Sequence, residues 1–233
     1  MVETVVVLFS TLLLLLGTIQ FGLIYNAKTT LNYAVFEAAR AGALNYADLT
    51  AIQYGLARGL APLYTSIETG YAASDKVGKV KAARDKVFQE AVDGRYVCIE
   101  RVNPNSDAFD AHGIDGEVSH FEDERLIPND KLLYRSALPK SGVSIQEANL
   151  LKLRVTYCYP MYVPIIATTI KRLYGLKPDP RPIGDTLETT PFNEACLNDD
   201  RLPIVAQAVI RMQTPVRDSF PSTGAFPKEC SEK

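Results

Sequence analysis

Apolar residues fill the chain almost without interruption from Thr4 to Ala27, and no charged residue falls within that run. A helix needs about 20 such residues to cross the hydrocarbon core of a bilayer, so the stretch is predicted to span a membrane. The pattern then changes without a helix break. In NAKTTLNYAVFEAARAGAL, Leu31, Val35, Ala38 and Ala41 or Gly42 recur at three- and four-residue intervals, while Lys28, Asn32 and Arg40 take other positions. One continuous helix is expected from about Val2 to Leu44, roughly 60–65 Å long at the standard rise per residue. Its distal half must pack on something other than lipid.

Asn45 and Asp48 supply a break and a new N-cap, after which Leu49, Ile52, Leu56 and Leu60 mark one side of a second helix. Ser74 with Asp75 opens a third, whose sparse apolar positions Val77, Val80, Val87 and Phe88 predict a surface or partly exposed element. Its lysines read as a solvated face. From Gly94 the period shortens. RYVCIERV, LKLRVTYCYP and PIVAQAVIRMQ are rich in β-branched and aromatic residues, and Ile204, Ala206, Ala208, Ile210 and Met212 alternate onto one face. These three runs predict a small antiparallel sheet. Ser144 and Glu147 have capping-box spacing before the second strand, and Pro164 suits the first turn of a further helix ending near Gly175. The fold class is thus α+β. Residues 1–44 form the long helix, and residues 45–233 form a globular domain with a Pro-rich loop over 175–203 and an irregular tail after Gln213.

Four cysteines, Cys98, Cys158, Cys196 and Cys230, lie in the polar remainder with no C-x-x-C and no histidine pair at metal-ligand spacing. They read as two disulfides formed in an oxidising compartment, against the alternative of four buried thiols. In LKLRVTYCYP the alternation places Leu151, Leu153, Val155 and Tyr157 inward and Cys158 on the other face, within reach of a covering loop. That favours Cys158–Cys196 and leaves Cys98 to pin the tail through Cys230, although four cysteines allow three connectivities. The first basic residue, Lys28, follows the apolar run, so the positive-inside rule alone would keep the domain in the cytoplasm. A basic leader removed from the mature chain would reconcile that with the cysteines. A secretory signal is not indicated, because the leading charge is Glu3 and no A-x-A step follows.

The net charge of −2 excludes a general nucleic-acid binder. No Walker loop, dinucleotide fingerprint or H-E-x-x-H is present, and Cys98 with His112 or His120 is the one conceivable thiol and base set, without a local signature. No enzyme, cofactor or metal is expected. Asp107, Asp110, Asp115 and Glu117 cluster around Gly113 and Gly116, but their spacing is not that of an EF-hand, and a solvated loop with Ser106 capping a short helix is the simpler reading.

The apolar helix with its early glutamate, the stretch FGLIYNAKTTLNYAVFEAARAGAL, the later LRVTYCYPMYVPII and the closing IVAQAVIRMQTP resemble TadE-like pilins, the pseudopilins of tight-adherence pili and relatives of type IV pilins. The resemblance is strongest over the first 44 residues, and the Ala38 to Gly42 stretch is its most position-specific part. It implies a short basic leader cut by a prepilin peptidase, residence in the bacterial inner membrane, and then incorporation into an extracellular filament with copies of the chain or related pilins. It also implies a glutamate near the mature N-terminus, matched by Glu3, which stands two positions earlier than the family pattern places it.

Glu3 then has two readings. In a filament it would attract the free α-amino group of a neighbouring subunit and fix the axial register, since an unpaired carboxylate in an apolar bundle is costly. In an isolated anchor it would sit among headgroups, favoured by the helix dipole. On the assembly reading, Val5, Leu8, Leu12, Leu15, Ile19 and Leu23 bury against other subunits, and Gly17, Gly22, Ala34, Ala38, Ala41 and Gly42 permit close helix approach. The competing class is a single-pass anchored periplasmic scaffolding or binding module, or a minor pseudopilin that primes assembly without forming the filament body.

Overall fold

A computed structural model of the chain describes residues 2–65, 76–115, 125–163 and 191–218. Helix α1 runs unbroken over Val2–Leu44, as the pattern predicts. It ends in a tight reversal in which Tyr46 and Ala47 both take left-handed backbone angles, and the Gly42 carbonyl accepts from the N–H groups of Asn45 (3.1 Å) and Ala47 (2.8 Å). These bonds satisfy carbonyl groups that a helix end otherwise leaves open. Asp48 then caps α2 (Leu49–Thr65), its carboxylate accepting from the Ala51 N–H at 3.0 Å.

Helix α2 returns antiparallel along the upper half of α1. Ile52, Leu56 and Leu60 are fully buried against Leu31, Ala34, Val35, Ala38 and Ala39. Gly55 and Gly59 let the two backbones approach closely: a Cβ at Gly55 would stand 2.9 Å from the Ala38 Cα, and one at Gly59 only 2.3 Å from the Ala34 Cα. Helix α3 (Lys76–Asp93) buries Ala83, Val87 and Ala91, while Val77 and Val80 stay exposed. Tyr54 stacks on Phe88 with centroids 4.2 Å apart.

The main sheet has the order β1–β4–β5, with β1 (Val97–Asn103), β4 (Leu150–Pro160) and β5 (Arg201–Arg211) all antiparallel. Opposed pairs Leu151 with Ile210, Val155 with Ala206 and Tyr157 with Ile204 bring the apolar face of the sheet under α1. Strand β4 is introduced by α5 (Ile145–Ala148), where the capping box forms as predicted: the Glu147 N–H donates to Ser144 Oγ, and Glu147 accepts from the Ser144 N–H at 2.9 Å. These bonds hold the Glu147 carboxyl below its ordinary range.

Three features depart from the sequence reading. Within the stretch read as a Pro-rich loop, Pro191–Asn198 forms a helix, α6, with proline at its first position, and strand β5 starts at Arg201. Helix α4 (Ser106–His112) is capped by Asn105, whose side chain accepts from the Ala108 N–H, and Ser106 is its first helical residue. A second sheet joins β2 (Ile114–Asp115), β3 (Arg125–Ile127) and β6 (Val216–Arg217), so the chain after Gln213 is not wholly irregular. Such short strands carry too little period to be read from sequence. The helix expected from Pro164, the Ser74 and Asp75 cap and the last residues of the tail lie outside the described residues.

Candidate assembly surface

Among the described residues, the domain's bonds to α1 begin at Gln20. Gln20 is fully buried, its Oε1 accepting from the Val163 N–H at 3.1 Å, and its Nε2 has no hydrogen-bond partner among the described residues. Ile24 and Ala27 continue the contact, and the Lys28 ammonium donates to the Val205 carbonyl in β5. Below Gln20 about 27 Å of the helix is mostly exposed, with Leu13, Leu16 and Gly17 half-buried, and α1 is long and apolar enough to cross a membrane. Leu8 is 73% and Leu15 57% exposed.

The exposed surface does not stop at the domain. Leu8, Leu12, Leu15, Ile19 and Gly22 recur every three or four residues, and the same spacing continues through Tyr25, Thr29, Tyr33, Phe36, Arg40 and Leu44, all exposed. Steps averaging 3.6 keep these positions on one face. The buried positions Leu31, Ala34, Val35 and Ala38 lie on the opposite side, against α2 and the sheet. An uncovered, mostly apolar and aromatic stripe, broken by Thr29 and Arg40, therefore runs along nearly the whole of α1, through membrane-like and domain-bearing halves alike.

Residues 1–40 match the model of the TadE-like protein family. The similarity to TadE-like proteins lies in this N-terminal segment. The match ends inside α1, covers less than half of the chain, and is consistent with a part in the tight-adherence pilus. No curated protein and no solved structure matches the chain.

Within the TadE-like segment, Leu8, Leu12, Leu15, Ile19, Gly22 and Leu23 are exposed, and nothing lies within 4 Å of a Cβ placed on Gly22. Gly17 is half-buried. Glu3 and Val5 lie in the α1 backbone, with side chains outside those described. Ala38 and Gly42 are differently placed from the expectation of subunit contact: both are buried inside the subunit, Ala38 under Gly55 and Gly42 under Ile52 and Leu151. Their small side chains serve the α1–α2 crossing. The signal that reveals this is the Gly55-x-x-x-Gly59 spacing in α2, a close-approach pattern that pairs with the alanines of α1. The aromatic continuation through Tyr25, Tyr33 and Phe36 is hard to read from sequence, because the polar Thr29 and Arg40 share its spacing.

The disulfide Cys158–Cys196 is present, tying α6 to β4, and Phe192 one turn earlier packs into the same buried cluster. Cys98 is also disulfide-bonded, and its expected partner, Cys230, lies outside the described residues. A bonded Cys98 offers no thiolate for the thiol and base set; the His112 Nε2 lies 2.8 Å from the Val143 carbonyl, and His120 is outside the described residues. Of the acidic stretch, Asp110 pairs with Arg125 at 2.6 Å, and Arg125 also reaches Asp218 at 3.0 Å. Among the described residues no group of three or more His, Cys, Asp or Glu could hold a metal.

A tyrosine cluster fixes α2, α3 and β4 to one another. The Tyr64 hydroxyl donates to Glu90, and its ring stands 6.3 Å from that of Tyr157. Burial, with Glu90 close by, raises Tyr64 well above the tyrosine range; burial raises Tyr157 likewise and pushes Tyr159 up to about 12.

Proposed function

We propose that this protein is a structural pilin subunit that waits in the inner membrane and polymerises through α1 into an extracellular tight-adherence filament supporting surface attachment. The observation that carries the reading is the single uncovered stripe along α1, from Leu8 to Leu44. Lipid satisfies only its lower half. A stripe that carries Tyr25, Tyr33, Phe36 and Leu44 beside a folded domain, with Thr29 and Arg40 among them, calls for a further helix, and other copies of α1 or of related pilins have apolar surface to offer it. Burial of each large apolar side chain that leaves water contributes on the order of 1.5–3 kcal/mol. The lower residues exchange lipid for protein, so packing and close helix approach supply their share. A prepilin peptidase and the inner-membrane assembly machinery are the remaining partners, and no cofactor, metal or catalysis is required.

Gly22→Leu tests this reading. The site is open in the subunit, so the variant should insert in the membrane and fold as the wild type does. It should nevertheless abolish filaments in electron micrographs of sheared surface material. Normal filaments from this variant would overturn the proposal that the stripe is the polymerisation surface.

A further inference from the structure

We infer that Met161 to Val163, the rim of the described domain nearest the N-terminal end of α1, lies in the phospholipid headgroup layer while the subunit is membrane-anchored, and that the hydrocarbon boundary is at Gln20 and not at the first charge, Lys28. The inference rests on the anchoring step of the proposed function. Its geometric basis is the bond between the Val163 N–H and Gln20 Oε1, which fastens the rim to a point inside the uncharged run. Lys28 stands about 12 Å further up the helix. If the hydrocarbon reached Lys28, it would engulf Gln20, the rim and the adjoining ends of β4 and β5, including Arg201 opposite Pro160. Burying such polar backbone and a guanidinium in lipid is prohibitive.

With the boundary at Gln20, the helix below it spans about 27 Å, close to the roughly 30 Å of a hydrocarbon core. The headgroup layer is about 5–7 Å thick, roughly four helical residues. Phe21 and Tyr25 fall at that level, 65% and 72% exposed, and Tyr162, 45% exposed, joins them from the rim. Tyrosine, with an apolar body and a polar hydroxyl, concentrates at that depth. Lys28 then lies in water at the edge of the domain, where it holds β5 through Val205. The domain is seated on the membrane surface and does not stand off on a helical stalk.

The chain contains no tryptophan, so a single introduced one reports depth without background. The full-length protein is reconstituted into vesicles of phosphatidylethanolamine and phosphatidylglycerol carrying, in parallel samples, lipids brominated near the headgroup end and near the middle of the acyl chains. Three variants are compared: Tyr162→Trp at the rim, Leu12→Trp within the span and Tyr46→Trp at the far tip of α1. The expected result is strong loss of emission for Leu12→Trp and Tyr162→Trp, with a blue-shifted Tyr162→Trp spectrum, and no loss for Tyr46→Trp. Loss at Leu12→Trp with Tyr162→Trp as unquenched as Tyr46→Trp would overturn the seating and leave the anchor intact. Absence of quenching in all three would remove the membrane anchor itself, and the seating with it.

Discussion

A methyl group added at Gly59 would fall 2.3 Å from the Ala34 Cα and 2.6 Å from its Cβ, so the α1–α2 crossing must open to admit it. Gly59→Ala should therefore destabilise the protein by about 1–3 kcal/mol, the usual cost of overpacking, seen as a lowered Tm in detergent. Gly22→Ala is the control of opposite sign. Its added Cβ meets nothing within 4 Å, and alanine's helix preference over glycine, about 0.5–1 kcal/mol, should leave Tm unchanged or raised. The buried hydroxyls make a second prediction at this scale. Burial holds Tyr64 and Tyr157 protonated to higher pH than in the unfolded chain. Their contribution to stability is thus full below the ordinary tyrosine pKa of about 10 and is lost as pH rises beyond it. Ultraviolet titration should show both ionising only as the native circular dichroism collapses; smooth early titration of all 12 tyrosines would contradict the cluster.

Among the elements, α6 depends most on a covalent tie. It is an eight-residue helix, shorter than water alone supports, and it is held to β4 by Cys158–Cys196 and by Phe192 in the same cluster. Replacing both cysteines by serine should cost about 2–4 kcal/mol and raise hydrogen exchange across α6 before the β1–β4–β5 amides. Uniform exchange in both regions would mean that α6 is not a separately tethered unit. The helix also marks where sequence reading reaches its limit. The long, strongly periodic elements were legible: α1 to its last residue, the inward alternation of β4 and β5, and the Ser144–Glu147 box. The bridge was legible as well, because alternation put Cys158 on the outer face of β4. A helix of two turns inside PFNEACLN has no period to distinguish it from a loop, and the two- and three-residue strands of the second sheet exist only through partners distant in sequence. Likewise Ala38 and Gly42 declared close approach, but not to what. The partner was α2 of the same chain, whose apolar positions and glycines complement them in three dimensions.

For the whole molecule, this division of α1 between inner and outer faces decides how much helix remains for assembly. The inner face above Gln20 is fully engaged by the domain, so register between subunits must come from the stripe and from the N-terminal end. An apolar stripe is a poor ruler: sliding by one turn exchanges Leu12 for Leu8 or Leu15 at little cost in buried area, since all are of one size. A charge at the end of the same helix is a better one, because a carboxylate that misses its partner in a low-dielectric bundle loses several kcal/mol. Glu3 lies on α1 in the segment matched to the TadE-like family. If it pairs with a neighbouring α-amino group, Glu3→Ala should leave the subunit folded, with wild-type Tm, and inserted in the membrane. Sheared filaments should then be scarce or irregular in axial repeat, and Glu3→Gln should fall between alanine and wild type, because it keeps hydrogen bonding but not the charge. Filaments of normal number and repeat from Glu3→Ala would assign the acid to the headgroup layer, and the aromatic upper half of the stripe, Tyr33 and Phe36, would have to set the register alone.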